Sequence, residues 1–250
     1  MSNSSTAIGS WASSAAARAA SLRYELKLVC QQSAYHRVRM ALRLHRSGLR
    51  VLYPERRVQS IYLDSHGNRA LEENLAGVSR REKLRFRWYG SATDRAPGIL
   101  ERKLRENTLG WKQHAVITEP LELEGRRGRS FIQQLAQHVP DAWREDLLSG
   151  LQPAQWISYV REYLVTADRR VRVTLDRELR CADQRRRMHL SCRFPTPTAR
   201  ILVVEAKCAP EHYEQARGLL SELPLSVDRC SKFVFASAPS HGPVASLLPD

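Results

Sequence analysis

The chain is poor in the residues that staple, anchor or export a protein. Five cysteines, Cys30, Cys181, Cys192, Cys208 and Cys230, are odd in number and widely spaced, with no C-x-x-C pair. Such a pattern argues against a disulfide framework or a zinc site and points to a reducing cytoplasm. No apolar run approaches the roughly 20 residues with which a helix spans a bilayer. The first 20 residues lack a basic start and an apolar core, so 1–20 is expected to be a flexible leader and not a secretory signal. The stretch 238–250, rich in Pro, Ala and Ser, is expected to be a second loose end. Between them, 21–237 contains no internal repeat and no long low-complexity linker, and one domain is expected. The eight histidines show no spacing that demands a catalytic role. No nucleic-acid reading motif is present, and the aromatic residues do not form a stacking ladder, so no specific nucleic acid is expected.

Negative charge is also short. Lys and Arg number 40 against 26 for Asp and Glu, a net charge of +14, which implies an anionic partner. Total charge leaves nucleic acid, acidic lipid and polyphosphate-like ligands open. Its arrangement separates them.

Alternation with a period of two marks strands at about 22–29, 57–64, 80–90, 98–106, 111–118, 156–166, 170–178 and 199–208, with a short apolar stretch at 232–237. Helical spacing marks about 34–46, 67–76, 129–149 and 211–222. Strands that follow one another without regular strand–helix alternation predict an antiparallel sheet or barrel with helices packed outside.

In "KLRFRWYG", Lys83, Arg85, Arg87 and Tyr89 share one side while Leu84, Phe86 and Trp88 share the other. The same division recurs. Arg23, Glu25 and Lys27 oppose Tyr24, Leu26 and Leu28, and Arg172 and Asp176 oppose Val171, Val173 and Leu175. Glu101, Lys103 and Arg105 share a parity, Arg161 stands between Tyr159 and Tyr163, and Glu205 and Lys207 oppose Leu202, Val204 and Ala206. If the sheet closes on itself, these charged faces turn toward one another. An interior of that kind must hold water, counter-charges or an anionic ligand. Arg forks and Lys point charges suit phosphate oxygens, and carboxylates can hold a divalent metal that bridges to them.

The set "RYELK", "SIYLDS", "KLRFRWYG", "LERK", "YVREYL", "RVTLD", "VVEAK" and "CSKFV" occurs in the order and rough spacing of the VTC domain. That domain is the polyphosphate-polymerase branch of the triphosphate tunnel metalloenzyme superfamily, and the resemblance runs from about Leu22 to Val234. It implies an α+β, mainly antiparallel fold: an eight-stranded closed tunnel barrel with a charged interior and helices outside. It implies a metal-dependent transfer of the γ-phosphoryl of ATP to a growing inorganic polyphosphate chain. By position, Lys27, Arg85, Arg87, Lys103, Lys112, Arg161 and Arg172 would be the phosphate-binding cations, joined by Lys83 on the same strand face. Ser231 and Lys232 would touch the chain near the tunnel end. Glu205 would be the main ligand of Mn²⁺ or Mg²⁺, with Glu25 and Glu101 as further ligands or as partners holding the cations in place.

Departures from the pattern bear on the reaction. Hydrolysing relatives usually open with E-x-E-x-K, but Arg23 replaces the first acid here, and Val203 is apolar two positions before Glu205. Fewer carboxylates favour transfer to a phosphate acceptor over activation of water. A triphosphatase of the same fold is the alternative. A second alternative is a non-catalytic polyphosphate or nucleic-acid binder that uses the outer runs "EGRRGR" and "DQRRRMH". Whether a membrane-associated protein recruits the chain stays open.

Overall fold

The computed structural model describes residues 23–106, 109–193, 195 and 200–225. Eight strands appear: β1 (Tyr24–Gln31), β2 (Arg50–Ser65), β3 (Arg80–Tyr89), β4 (Arg95–Glu106), β5 (Leu109–Glu122), β6 (Leu151–Val165), β7 (Val171–Asp183) and β8 (Ile201–Cys208). The helices are α1 (Tyr35–Leu44), α2 (Arg69–Leu75), α3 (Gly128–Gln137), α4 (Asp141–Leu148) and α5 (Tyr213–Ser221). All strands join one antiparallel sheet in the order β1-β8-β7-β6-β2-β3-β4-β5. The fold is α+β, as the alternation predicts. The stretches 1–20 and 238–250, and the short apolar run 232–237, lie outside the described residues.

Closure is different from the expectation. β1 and β5 are the two ends of the order, and among the described residues no ladder joins them. The expected closed barrel is instead a curled sheet with two edges. Charge explains why the edges need not meet: sealing so many ions into a dry interior would be strongly unfavourable, whereas an open seam admits water.

The helix expected over 129–149 is two helices. Pro140 stands at the start of α4 with φ −55° and ψ 149°, and its carbonyl accepts from Trp143 N at 2.8 Å. Proline has no N–H to continue α3, and it forces the preceding residue out of helical geometry. β2 starts earlier than its period-two pattern suggests, because Pro54 and two register shifts, between Val51 and Tyr53 and between Tyr53 and Arg56, break the alternation there.

Packing divides the sheet's convex face into two cores. Phe86, Trp88, Leu100 and Leu121 pack with Phe131, Leu135, Trp143 and Leu147 of α3 and α4. Leu28, Val173, Val204 and Ala206 pack with Val38, Leu42, Leu219 and Leu220 of α1 and α5. Four helices, α1, α3, α4 and α5, thus cover the outward apolar parity as expected, whereas α2 packs inside. Gly98 is required for the first core: a Cβ there would lie 2.5 Å from the Phe86 ring and 2.6 Å from the Arg87 carbonyl oxygen. Burying these apolar faces outside fixes the charged parity inside.

The concave face is itself divided. Val29, Val58, Tyr62, Ile157, Tyr159, Ile201 and Val203 form an apolar floor, against which Ala70 and Leu71 of α2 pack. The buried Asp64 ties α2 down by accepting from Ala70 N at 2.9 Å and Leu71 N at 3.1 Å. Above this floor the concave face is ionic.

Candidate phosphate-binding face

Cross-strand register sets the ionic wall. Arg85 pairs with Glu101 and Lys83 with Lys103 across β3 and β4, and Lys103 pairs with Lys112 across β4 and β5. On the far wall, Lys27 stands opposite Glu205 and Glu25 opposite Lys207, while Arg172 stands opposite Lys207 and Arg161 opposite Asp176. Residues directly opposite in a ladder share a face, so each wall presents a ladder of ions to the other.

The two walls sense each other. Lys103 of β4 is acted on by Lys207, Glu25 and Glu205 of β8 and β1, and Lys83 of β3 by Lys27 and Glu25 of β1. These strands are not neighbours in the sheet, so the contacts run across the concavity. Lys27, Lys83, Arg85, Arg87, Lys103, Arg161, Arg172, Glu25, Glu101 and Glu205 therefore line one space. Lys112 lies at its β5 edge, with its side chain 59% exposed and its Nζ 3.9 Å from Glu101. Ser231 and Lys232 lie outside the described residues.

At the centre, Glu101 is 2% exposed and holds two arginines. Arg85 donates to its Oε2 from Nε at 2.8 Å and Nη2 at 2.6 Å, and Arg87 donates to Oε1 from Nη2 at 2.8 Å. Arg85 also donates from Nη1 to the Tyr62 hydroxyl at 3.0 Å. One carboxylate thus balances two guanidiniums, and positive charge remains. Burial pushes the Glu101 carboxyl up, but Arg85, Arg87 and Lys103 outweigh it and hold it at about 2. Opposite, Arg161 donates to Asp176 from Nε at 2.5 Å and Nη2 at 2.6 Å, a bidentate pair that is balanced.

Glu25, Lys27, Glu205 and Lys207 form a ring of alternating sign. Lys27 reaches both Glu25 and Glu205, the latter at 3.6 Å, and Lys207 reaches both as well, with Glu25 at 3.5 Å. Burial and Glu205 raise the Glu25 carboxyl, yet Lys207, Lys27 and Lys103 bring it to about 2.

The lysines of the other wall show the charge excess. Arg85 pushes the Lys103 ammonium well below its ordinary value, with burial and Lys207 adding to the effect. Burial, then Lys27 and Arg81, bring Lys83 down to about 7. Burial also lowers Lys112 and Arg172. Several polar atoms of this face are buried without a hydrogen-bond partner: Nε of Arg87, Oγ of Ser60 and Oγ1 of Thr174. Buried polar atoms without partners are uncommon and call for an explanation. Repelling cations and unused donors together make a face that is short of anion.

Among the described residues, no three His, Cys, Asp or Glu side chains gather as a metal cluster. Glu101 is committed to its two arginine forks, whereas Glu205 and Glu25 are two carboxylates on adjacent strands held by the ammoniums of Lys27 and Lys207, which a divalent ion would displace. Such a pair fits a divalent ion that arrives with phosphate oxygens and keeps part of its water, the usual manner of Mg²⁺, and does not fit a protein-only cage.

Asp176, Lys207 and Thr174 lie on the charged parity read from the sequence but were given no role there, and Tyr62 and Ser60 were not singled out, although their parity would have found them. Arg56 was also missed. Its guanidinium lies 4.3 Å from the Tyr89 ring centroid, 5.0 Å from that of Tyr163 and 5.5 Å from that of Tyr53, at the end of the face remote from α2.

The VTC-domain family model matches residues 22–241, nearly the whole chain. The chain belongs to the VTC-domain family. Among solved structures, this VTC domain is similar to a Vibrio parahaemolyticus protein described as a "putative adenylate cyclase", at 12% identity and a TM-score of 0.51 over 86% of this chain and 98% of that one. It is also similar to the PH1819 protein of Pyrococcus horikoshii OT3, at 14% identity and a TM-score of 0.48 over 84% and 96% of the two chains. A third similarity is to the Schizosaccharomyces pombe Mediator head module, at 10% identity and a TM-score of 0.45 over 80% and 94%. At these identities, the first likeness speaks for the fold alone. No protein of curated function matches the chain.

The two basic runs of the outer surface come together at a bridge between Arg127 and His189. They are not part of the concave face. No helix among the described residues is long and apolar enough to cross a membrane.

Proposed function

We propose that this VTC domain is a polyphosphate polymerase that transfers the γ-phosphoryl of ATP to the end of an inorganic polyphosphate chain held on its concave face. The observation that carries the reading is the Arg85–Glu101–Arg87 unit beside Lys83 and Lys103, in which cations outnumber the carboxylate that holds them. A triphosphate would supply the missing negative charge and accept from Nε of Arg87.

Phosphoryl transfer asks the protein mainly for position and charge. Arg85 and Arg87 stand two residues apart on one strand, roughly 6.5–7 Å along it, and their guanidiniums converge on the two oxygens of Glu101, so both can reach one triphosphate. The terminal oxygen of the acceptor chain is already anionic, so it needs no base. It forms the new bond to the γ-phosphorus while the bond to the β–γ bridging oxygen breaks, and ADP leaves. Lys27, Lys103, Arg161 and Arg172 lower the repulsion between the two polyanions and hold them in line. Glu205, with Glu25, would hold Mn²⁺ or Mg²⁺, which when bound neutralises charge on the phosphate oxygens. Glu101 acts through the arginines as a positioning residue and is not assigned as a ligand. The apolar floor at Val203 offers no carboxylate to orient a water, which favours transfer over hydrolysis.

The test is incubation of the pure protein with ATP and Mn²⁺, followed by gel staining for long polyphosphate and an assay of free phosphate. Chain growth is expected. Phosphate release alone would replace the polymerase with a triphosphatase, and the absence of both products would leave a binding module. A cytoplasmic location and a membrane-associated recruiting partner belong to this same proposal and need localisation of the tagged protein in cells.

A further inference from the structure

Arg56 is placed unusually for an arginine at an ionic face. Among the described residues it forms no ion pair with a carboxylate, whereas its neighbour Arg57 pairs with Glu178 at 2.7 Å. Three tyrosines enclose Arg56 instead. Tyr53 and Tyr163 stand opposite each other in the β2–β6 ladder, their rings edge-on with centroids 5.7 Å apart, and Tyr89 ends β3. Tyr53 is 48% and Tyr89 40% exposed, large for aromatic rings on the inward side of a sheet.

The cluster is continuous with the proposed phosphate cations. The Arg87 guanidinium lies 5.4 Å from the Tyr89 ring centroid, and that of Arg161 5.9 Å from that of Tyr163. Tyr89, Arg87 and Arg85 are successive inward positions of one strand. Along β3 the surface thus changes from exposed ring to guanidinium to buried guanidinium. Polyphosphate alone has no use for exposed rings, which offer it neither charge nor strong donors. A planar base does: aromatic rings and guanidinium planes are the two surfaces on which bases stack.

We infer that Tyr53, Arg56 and Tyr89 form a nucleobase platform at the rim, so that a nucleoside triphosphate is taken with its base on this cluster and its phosphates on Arg87 and Arg85. The inference rests on the proposed phosphate face and adds a donor specificity to it. The rings hold the Arg56 plane in place, and stacking tolerates any base, so ATP and GTP should be taken similarly.

The experiment is calorimetric titration of the full chain and its Tyr53→Ala, Tyr89→Ala and Arg56→Leu variants with ATP and with inorganic tripolyphosphate, which has no base. ATP should bind the unaltered protein more tightly than tripolyphosphate does. In Tyr89→Ala and Tyr53→Ala, ATP affinity should fall about tenfold, within the range that loss of one base–ring stack produces, while tripolyphosphate affinity changes less than twofold. Retained tripolyphosphate binding also shows that the variants are folded. Equal loss of both ligands, or loss of neither, would overturn the platform and leave the phosphate face intact. Failure of the unaltered protein to bind tripolyphosphate would overturn both.

Discussion

Arginines on the two sides of this sheet carry the same charge and live in different chemistry. Outside, Arg126 pairs with Glu122 four residues before it, Arg185 with Asp183 at 2.6 Å, and Arg193 with Asp94 at 3.1 Å while 62% exposed. Each joins one arginine to a well-exposed carboxylate, the kind of pair that contributes little. Inside, Arg85 is 6% exposed, shares one carboxylate with Arg87, and depresses a lysine on the next strand. Charge count does not separate the two groups; the difference lies in how many cations one buried carboxylate must hold. A one-to-one pair adds no net charge, whereas an excess of cations over carboxylate leaves the inner face wanting an anion.

The largest effect should come from removing the shared counter-charge. Glu101→Ala leaves Arg85, Arg87 and Lys103 facing one another, and breaking a buried pair in this way costs about 3–5 kcal/mol. Urea unfolding should show that loss, and added tripolyphosphate should restore part of it, because the ligand replaces the missing anion. A loss that tripolyphosphate does not reduce would make Glu101 a packing residue only.

Next is Arg85→Ala. A hydrogen bond to a charged group contributes about 1.5–3 kcal/mol, so triphosphate affinity should fall roughly ten- to a hundredfold. Arg85→Lys should recover little, since an ammonium cannot form the fork that engages Glu101 and a phosphate together. Glu205→Gln keeps shape and removes charge. Metal-dependent turnover should fall at least about tenfold in it, with metal-free ATP binding retained; an unchanged Mn²⁺ titration would place the metal elsewhere.

A smaller effect belongs to pH. Lys83 titrates at about 7, so it is largely charged at pH 6 and largely neutral at pH 8. A bound polyanion favours the charged form, so binding at pH 8 should take up a proton, read from the buffer dependence of the binding enthalpy, and Lys83→Gln should remove that uptake. The sign for stability is that of a depressed carboxyl, and opposite to that of a lysine that gains a counter-charge on folding. The folded pKa lies below the unfolded one, so the unfolded chain holds more protons between about pH 7 and pH 10, and stability without ligand should rise across that window. The smallest effect is expected outside: Arg186→Ala should leave both affinity and turnover within about twofold, as exposed charges do.

Much of this layout was legible in the sequence. Period-two alternation located all eight strands, and one parity placed Arg85, Arg87, Lys103, Arg161, Arg172 and Glu205 on a common face while sending Phe86 and Trp88 to the helices. Parity says nothing about whether edges meet, so the seam between β1 and β5 was not legible. Nor does it say which cation a carboxylate holds: Glu101 reads equally well as a ligand or as a counter-charge until its distances to two guanidiniums are known. Arg56 was hidden for a local reason. Pro54 and the adjoining register shifts erase the alternation in "VLYPERR", and its three rings come from β2, β3 and β6, which meet only in the folded sheet.

The contrast between inner and outer cations is tested most directly by titrating inorganic tripolyphosphate into the unaltered protein, Arg87→Ala and Arg186→Ala at one salt concentration and comparing dissociation constants. Expected is a loss of about ten- to a hundredfold for Arg87→Ala and less than about twofold for Arg186→Ala. Equal losses in the two variants would mean that tripolyphosphate senses only the basic surface, and the concave face would not be its site.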